Sequence, residues 1–347
     1  MKLSEFKYTI PPKAIANYPA DPRDTSKLLV VNRETGKMQN KKFRNLVNIL
    51  EKGDSLVLNE TKVFPARLFG KKEKTNAVIE VMLLRELKHE DRIWDVLVEP
   101  ARKVRIGNKI FFDDDNFFCE VIDNTTSRGR TVRFSPTDNL FDIIERIGQM
   151  PLPHYITRKP TEEDKEMYQT VVANPEYLAS IAPPTSGLHF TDKLLAKLQA
   201  KGVRISKIVL NIGQGIFEQI EVEDLTKHRM YSEYFNISYE ASENINKSLK
   251  SKKKVIAVGS SVARALESSV LTTGAVKPNK GWTDKFIYPP YEFKVTTGLI
   301  TNFHEPGSPS LLLSAAFAEK DLLFKAYKKA IKDEYRLLAY GDALLFI

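Results

Sequence analysis

Val78-Ile79-Glu80-Val81-Met82-Leu83 and, one polar turn later, Trp94-Asp95-Val96-Leu97-Val98 alternate apolar and polar side chains. A period of two places successive side chains on opposite faces of an extended chain, so both stretches predict half-buried strands. Working outward, four more runs share the character: Val63 to Gly70, Asn108 to Phe112, Phe117 to Asp123 and Thr131 to Phe134. The two quoted runs extend over Ala77 to Glu86 and Ile93 to Glu99. Turn residues separate them at Gly107-Asn108, Asp113 to Asn116 and Ser127-Arg128-Gly129. Six short strands joined by tight turns predict a compact antiparallel barrel or sandwich.

Charge draws the same boundary. Residues 66 to 146 hold 15 basic and 15 acidic side chains, whereas the whole chain of 347 has 53 Lys and Arg against 44 Asp and Glu, a net charge of +9. The flanks therefore carry the entire excess. A length of 347 residues suits two domains, here 66–146 inserted into a discontinuous domain of 1–65 and 147–347. A cation-rich flank is what a phosphate backbone attracts. The other reading of a run such as Lys252-Lys253-Lys254 is a solvated helix end.

The flanks alternate helix and strand. Thr191 to Lys201 reads as an amphipathic helix, capped by Thr191 or Asp192 and ended by Gly202. Val203 to Ile212 follows as a buried strand. Glu240 to Leu249 is helical, Lys254 to Val258 a strand, and Val262 to Val270 a helix after Gly259-Ser260-Ser261. Ser310 to Lys332 is a long helical region broken near Ala318-Glu319. The larger unit is thus mixed α/β.

Composition excludes several classes. At 42% hydrophobic and 28% charged residues, with 16 Gly and 18 Pro, the chain is neither low-complexity nor collagen-like. The longest apolar stretch, around Leu311 to Ala318, falls far short of the ~20 residues of a membrane span. The start, Lys-dotted and Pro-broken, has no apolar signal-peptide core, and the single Cys119 suits a reducing cytoplasm, the expected location. No His, Cys, Asp or Glu spacing suggests a metal site. Dinucleotide and phosphate-loop signatures are missing, and Gly213-Gln214-Gly215 alone is a weak signal.

Histidine placement is more informative. Of five histidines, His189, His228 and His304 lie in stretches crowded with Pro, Gly and small polar residues: Ala182-Pro183-Pro184-Thr185-Ser186-Gly187-Leu188-His189, Thr226-Lys227-His228-Arg229 and Thr301-Asn302-Phe303-His304-Glu305-Pro306. Such stretches form loops or element ends, where catalytic groups concentrate, and imidazole exchanges protons near neutral pH. The alternative for each is a hydrogen-bonded structural histidine. Gly259-Ser260-Ser261 sits at a strand-to-helix junction whose free N–H groups favour an anion. Arg264 and Glu267 share a face of the helix that follows, with an intrahelical ion pair as the plainer reading. The polar, aromatic ending Tyr335 to Leu345 predicts side chains docked into the core or the site.

Several of these motifs, in this order, resemble one family. They are Ser26-Lys27-Leu28-Leu29-Val30, Asn59-Glu60-Thr61-Lys62-Val63-Phe64-Pro65-Ala66-Arg67, Pro151-Leu152-Pro153, Tyr168-Gln169-Thr170-Val171, Ala182 to Thr191, Thr301-Asn302-Phe303-His304 and Tyr340-Gly341-Asp342-Ala343. The chain is similar along its whole length to the S-adenosylmethionine:tRNA ribosyltransferase-isomerases of queuosine biosynthesis. The resemblance implies a small closed six-stranded β-barrel inserted into a larger α/β domain. It implies transfer of the ribosyl part of S-adenosylmethionine, a co-substrate, to 7-aminomethyl-7-deazaguanine in the anticodon arm of tRNA, with no metal and no membrane. The candidate catalytic groups are then His189 and His304, supported by His228 and Glu233. The candidate substrate-binding residues are Thr185, Ser260, Ser261, Arg264, Asn302, Tyr340 and Asp342. The sequence departs from the family pattern at Asn211 and Tyr231, where the family has His, at Glu305-Pro306-Gly307-Ser308-Pro309 in place of Leu-Pro-x-Ser-Thr, at Ser260-Ser261 in place of Thr-Thr, and at Pro184, which interrupts Ala-Pro-Thr. They raise a second possibility, a diverged relative that binds tRNA or S-adenosylmethionine with altered or lost catalysis.

Overall fold

The computed structural model describes residues 1–112, 117–137, 139–216 and 219–347. Six strands close into an antiparallel barrel in the order Gly129–Phe134, Ile93–Glu99, Val78–Lys88, Arg67–Lys72, Lys109–Phe112 and Phe117–Asn124. Alternation dictates its interior: Leu68, Ile79, Val81, Trp94, Val96, Ile110, Phe112, Val121, Val132 and Phe134 are all buried. Gly70 sits where strands cross closely, since a Cβ there would lie 2.6 Å from Ile110 Cγ2 and 2.7 Å from Phe111 O. Cys119 is buried in this core, and burial pushes its thiol far above the usual value. The helix Leu140–Ile147, capped by Asn139, covers one end of the barrel, with Phe141 edge-on to Phe64 and Trp94 at ring separations of 6.2 and 5.8 Å.

One difference from the sequence reading concerns this region. The first barrel strand begins at Arg67, four residues later than expected, because Lys62–Val63 pairs in parallel with Leu178–Ser180 in a separate two-stranded sheet. The expected turn at Asp113 to Asn116 lies outside the described residues.

The second unit is a nine-stranded mixed sheet in the order Asn279–Thr283, Glu233–Ile237, Arg204–Leu210, Ser55–Asn59, Val255–Val258, Gly298–Asn302, Ala343–Phe346, Lys27–Val31 and Met38–Lys42. The four strands from Arg204–Leu210 to Gly298–Asn302 run parallel. Ser55–Asn59, Val255–Val258 and Gly298–Asn302 are buried on both faces, as a covered parallel sheet requires, while Arg204–Leu210 has Lys207 exposed. Val57, Leu210, Val255, Ala257 and Leu299 pack against the helices Tyr239–Lys250, Ser260–Ser268, Pro309–Ala318 and Lys320–Lys332. Leu56, Leu58, Ile256, Val258 and Ile300 face Phe43, Leu46, Phe190 and the helix Asp192–Ala200.

Most boundaries in this unit follow the sequence chemistry. Thr191 caps its helix by accepting from Leu194 N–H at 3.2 Å, and Glu319, at φ +66°, breaks the long helical region at the expected place. The helix after Gly259 starts two residues earlier than predicted, at Ser260. The chain end forms an interior strand, paired in parallel with Lys27–Val31 and antiparallel with Gly298–Asn302. Among the described residues, no helix is long and apolar enough to cross a membrane.

Candidate active site

In an open parallel sheet, ligands bind beyond the carboxyl ends of the strands. Here those ends are Leu210, Asn59, Val258 and Asn302, and a part-open cleft lies beyond them. Three segments form its walls: Pro183 to Ser186, Gly259 to Ser261 with Arg264, and Asn302 to Glu305. Tyr155, Tyr168, Phe286 and Leu313 add apolar surface.

Gly259 turns the chain from strand to helix at φ +93° and ψ 158°, a region open essentially to glycine alone. No side chain caps the helix that follows, and Ser260 and Ser261 at its start line the cleft. Ser260 Oγ lies 2.9 Å from Ser310 Oγ, and Ser261 Oγ accepts from Asn59 Nδ2 at 3.3 Å. Thr185 also lines the cleft.

Arg264 and Glu233 form a buried ion pair in the cleft wall. Glu233 also accepts Gly213 N–H at 2.8 Å, and Arg264 Nε donates to Lys285 O at 3.1 Å. Glu267, expected beside Arg264, is turned away. It accepts the backbone N–H groups of Lys294, Val295 and Thr296 at 3.0–3.1 Å and so clamps that loop.

The two leading histidines approach the end of the strand Gly298–Asn302 from different segments: His304 follows it in sequence, and His189 ends the short turn Thr185–His189. His304 lines the cleft, with Nε2 2.6 Å from Thr301 Oγ1, while Tyr8 and Tyr327 hold its backbone O and N–H. The Thr301 hydroxyl also lies 3.4 Å from Asn302 O. It shares a hydrogen bond with Nε2, and His304 Nδ1 makes none among the described residues. Burial lowers the His304 pKa to about 4, so the ring is neutral near pH 7.

His189 is one layer behind the cleft. Its Nδ1 is 2.9 Å from Ser26 Oγ, its Nε2 is 3.2 Å from Asn302 Oδ1, and its ring stacks on Phe43. Burial lowers its pKa to about 4 as well. Asn302 spends its amide on Leu338 O and Ala339 O at 2.9 and 3.2 Å, tying the chain end to the cleft. His228 packs edge-on against Phe286 at 4.7 Å, behind that wall.

Tyr340 and Asp342, expected at the substrate, do not line the cleft. Tyr340 donates to Asp164, whose carboxylate also pairs with Arg158 at 2.6 Å. Asp342 accepts the N–H groups of Lys27 and Arg336 at 2.9 and 2.8 Å, which braces the chain end.

Sequence reasoning missed Glu305 as a cleft group, having met it only as a departure from a pattern. Burial raises its pKa, opposed by His154 at 3.4 Å. Asn211 accepts from Thr61 Oγ1 at 3.0 Å and does not line the cleft. Lys252-Lys253-Lys254 lies at the opposite end of the Val255–Val258 strand, where Lys253 pairs with Glu51 at 3.1 Å. Among the described residues, no three His, Cys, Asp or Glu side chains gather as a metal site.

The fold is a mixed α/β sheet with a closed six-stranded barrel, and a cleft with both polar and apolar lining lies at the sheet's parallel carboxyl edge. A family model described as queuosine biosynthesis protein matches residues 3–346. The chain is 55% identical to an S-adenosylmethionine:tRNA ribosyltransferase-isomerase of Chloroherpeton thalassium, over 99% of both chains. It is 50% identical to the protein of the same name from Cytophaga hutchinsonii, over the full length of both. The crystal structure of an S-adenosylmethionine tRNA ribosyltransferase from Thermotoga maritima aligns over 99% of this chain and 100% of that one, with a TM-score of 0.55 and 32% identity. The chain belongs to the queuosine biosynthesis protein family.

Proposed function

We propose that the chain is a tRNA-modifying transferase-isomerase. It moves the ribosyl part of S-adenosylmethionine to the aminomethyl group of a 7-deazaguanine base at the wobble position of the tRNA anticodon arm. Epoxyqueuosine forms, and adenine and methionine leave. The cytoplasm, where tRNA is found, is its setting. The catalytic domain comprises 1–65 and 147–347, and the barrel domain 66–146.

The observation that carries this reading is a neutral imidazole with an open nitrogen, His304, in the same cleft as an uncapped helix N-terminus. The sulfonium acidifies the hydrogens on the adjacent C5′, and His304 Nδ1 is the base that takes one. Departing adenine needs a proton, and Glu305 holds its proton more tightly than a solvated carboxyl does. Each transfer contributes ~10²–10⁴-fold when well placed. The N–H groups of Ser260 and Ser261, with the helix dipole behind them, hold the methionine carboxylate, assisted by the Thr185 hydroxyl. Arg264 is already neutralised by Glu233, so this pair shapes the wall and adds little net charge. His189 acts through Asn302 as a positioning residue.

Incubation with S-adenosylmethionine and tRNA carrying the deazaguanine precursor, followed by nucleoside mass spectrometry, tests the reading. Epoxyqueuosine is expected. Binding of tRNA without product would select the diverged relative, the possibility raised by Asn211, Tyr231 and Glu305. Adenine release without tRNA modification would mean a different acceptor.

A further inference from the structure

Trp282 is 58% exposed, an unusual setting for the largest apolar side chain. It stands on the edge strand Asn279–Thr283, directly across from Tyr234 on the neighbouring strand, with the rings edge-on at 5.9 Å. The guanidinium of Arg85, from the barrel strand Val78–Lys88, lies 5.8 Å from the Trp282 ring centre. Asp95 fixes that guanidinium at 3.0 Å. Two residues back on the same strand face is Lys280, exposed and without an ion pair among the described residues. The platform adjoins the cleft on both strands, because Glu233 precedes Tyr234 and Lys285 follows Trp282 by three residues, and both line the cleft.

We propose that Trp282 and Tyr234, with Arg85 and Lys280 beside them, form a stacking platform for an unpaired base of the RNA substrate that neighbours the reacting base. The proposal rests on the tRNA reading above and adds a contact surface to it. Three observations favour RNA over a protein partner. Two aromatic side chains bury only ~150–250 Å² each, against the ~1,200 Å² or more of a stable protein interface. Aromatic faces interleaved with cations are the chemistry of single-stranded nucleic acid binding, where each base stacks without sequence preference. The cationic surplus also lies in the flanks that hold the cleft, and the barrel residues 66–146 are neutral overall.

The experiment exploits the tryptophan content. The chain has two, and Trp94 is only 2% exposed inside the barrel. Titration of tRNA carrying the deazaguanine precursor into the full-length protein should quench the exposed tryptophan emission, and Trp282→Phe should abolish the quench. Base–aromatic stacking of this kind corresponds to ~10-fold in affinity. Trp282→Ala should therefore raise the Kd for tRNA about 10-fold, with turnover at saturating tRNA and S-adenosylmethionine affinity unchanged, while Trp282→Phe keeps most of the affinity. Unchanged thermal melting confirms that the exposed substitution leaves the fold intact. Tight tRNA binding with no quench and a normal Kd for Trp282→Ala overturns the platform and leaves the enzymatic reading in place. Self-association abolished by Trp282→Ala, with tRNA binding unaffected, assigns the patch to a second copy of the chain and also overturns it. Failure of the unaltered protein to bind tRNA at all removes the functional reading on which the proposal stands.

Discussion

The barrel and the carboxyl edge of the parallel sheet treat polar groups in opposite ways. In the barrel most buried side chains are apolar, the Trp94 indole N–H has no partner, and the few other buried polar groups are held locally, Arg130 by Val104 O and Ala101 O and Thr131 by Asp95. At the sheet edge Asn59, Glu233, Arg264, Thr301 and Asn302 are buried together, each held by hydrogen bonds or an ion pair. Burying polar groups costs free energy unless they are satisfied. The edge therefore spends most of its polar atoms on holding one another, and the few left open, His304 Nδ1 and the N–H groups after Gly259, are the ones free to act on a ligand. Stability is expected to dominate in the first region and chemistry in the second.

The largest expected effects probe that division. Arg264→Leu strands the Glu233 carboxylate in the cleft wall, and losing one partner of a buried pair costs about 3–5 kcal/mol. Urea denaturation should show this loss together with lost turnover. Phe134→Ala, buried in the barrel, should cost a similar ~3–5 kcal/mol. Where this variant remains folded, however, turnover should stay near that of the unaltered protein. If Phe134→Ala abolishes turnover in the folded protein, the two regions are not separable in this way.

Next, His304→Gln should lower turnover ~10²–10⁴-fold with a much smaller change in the denaturation midpoint. The pH profile sharpens the point. With a pKa of about 4, His304 is already deprotonated well below neutrality, so turnover should show no acid limb at the ordinary imidazole value near 6.5.

Stability responds to the same rings. His189 and His304 each have a folded pKa of about 4, below the ordinary 6.5, so protons bind the unfolded chain first. Their stabilising contribution is full above pH ~6.5 and drains away as the pH falls toward 4, at up to ~1.4 kcal/mol per pH unit for each ring. Replacing His189 by Gln should flatten the slope of stability against pH in that window. The smallest effect belongs to Ser26→Ala, which removes the Nδ1 partner of His189 and should cost ~1 kcal/mol. A cost near zero would mean that the ring is held by Asn302 and Phe43 alone.

The barrel was legible because alternation and neutral charge are local properties, and its strands pair with near neighbours in the sequence. The Ser260 helix and the break at Glu319 were legible for the same reason. The nine-stranded order was not: Ala343–Phe346 pairs with Lys27–Val31 across nearly the whole chain, and no local pattern encodes that register. In the site, Gly259, Ser260, Ser261 and His304 announced themselves by loop chemistry. His189, Tyr340 and Asp342 carried the same surface signals yet brace the cleft from behind, a distinction that depends on which partner each side chain meets. Glu305 was hidden for the opposite reason, because a lone carboxylate in a loop ordinarily faces water.

A crystal structure with a non-reactive S-adenosylmethionine analogue bears most directly on the whole account. The account predicts the nucleoside between the Gly259–Ser261 turn and His304, with its amino-acid carboxylate at the N–H groups of Ser260 and Ser261. Density instead in the separate cavity lined by Arg23, Lys62, Gln169 and Thr170, with the sheet-edge cleft empty, would contradict it.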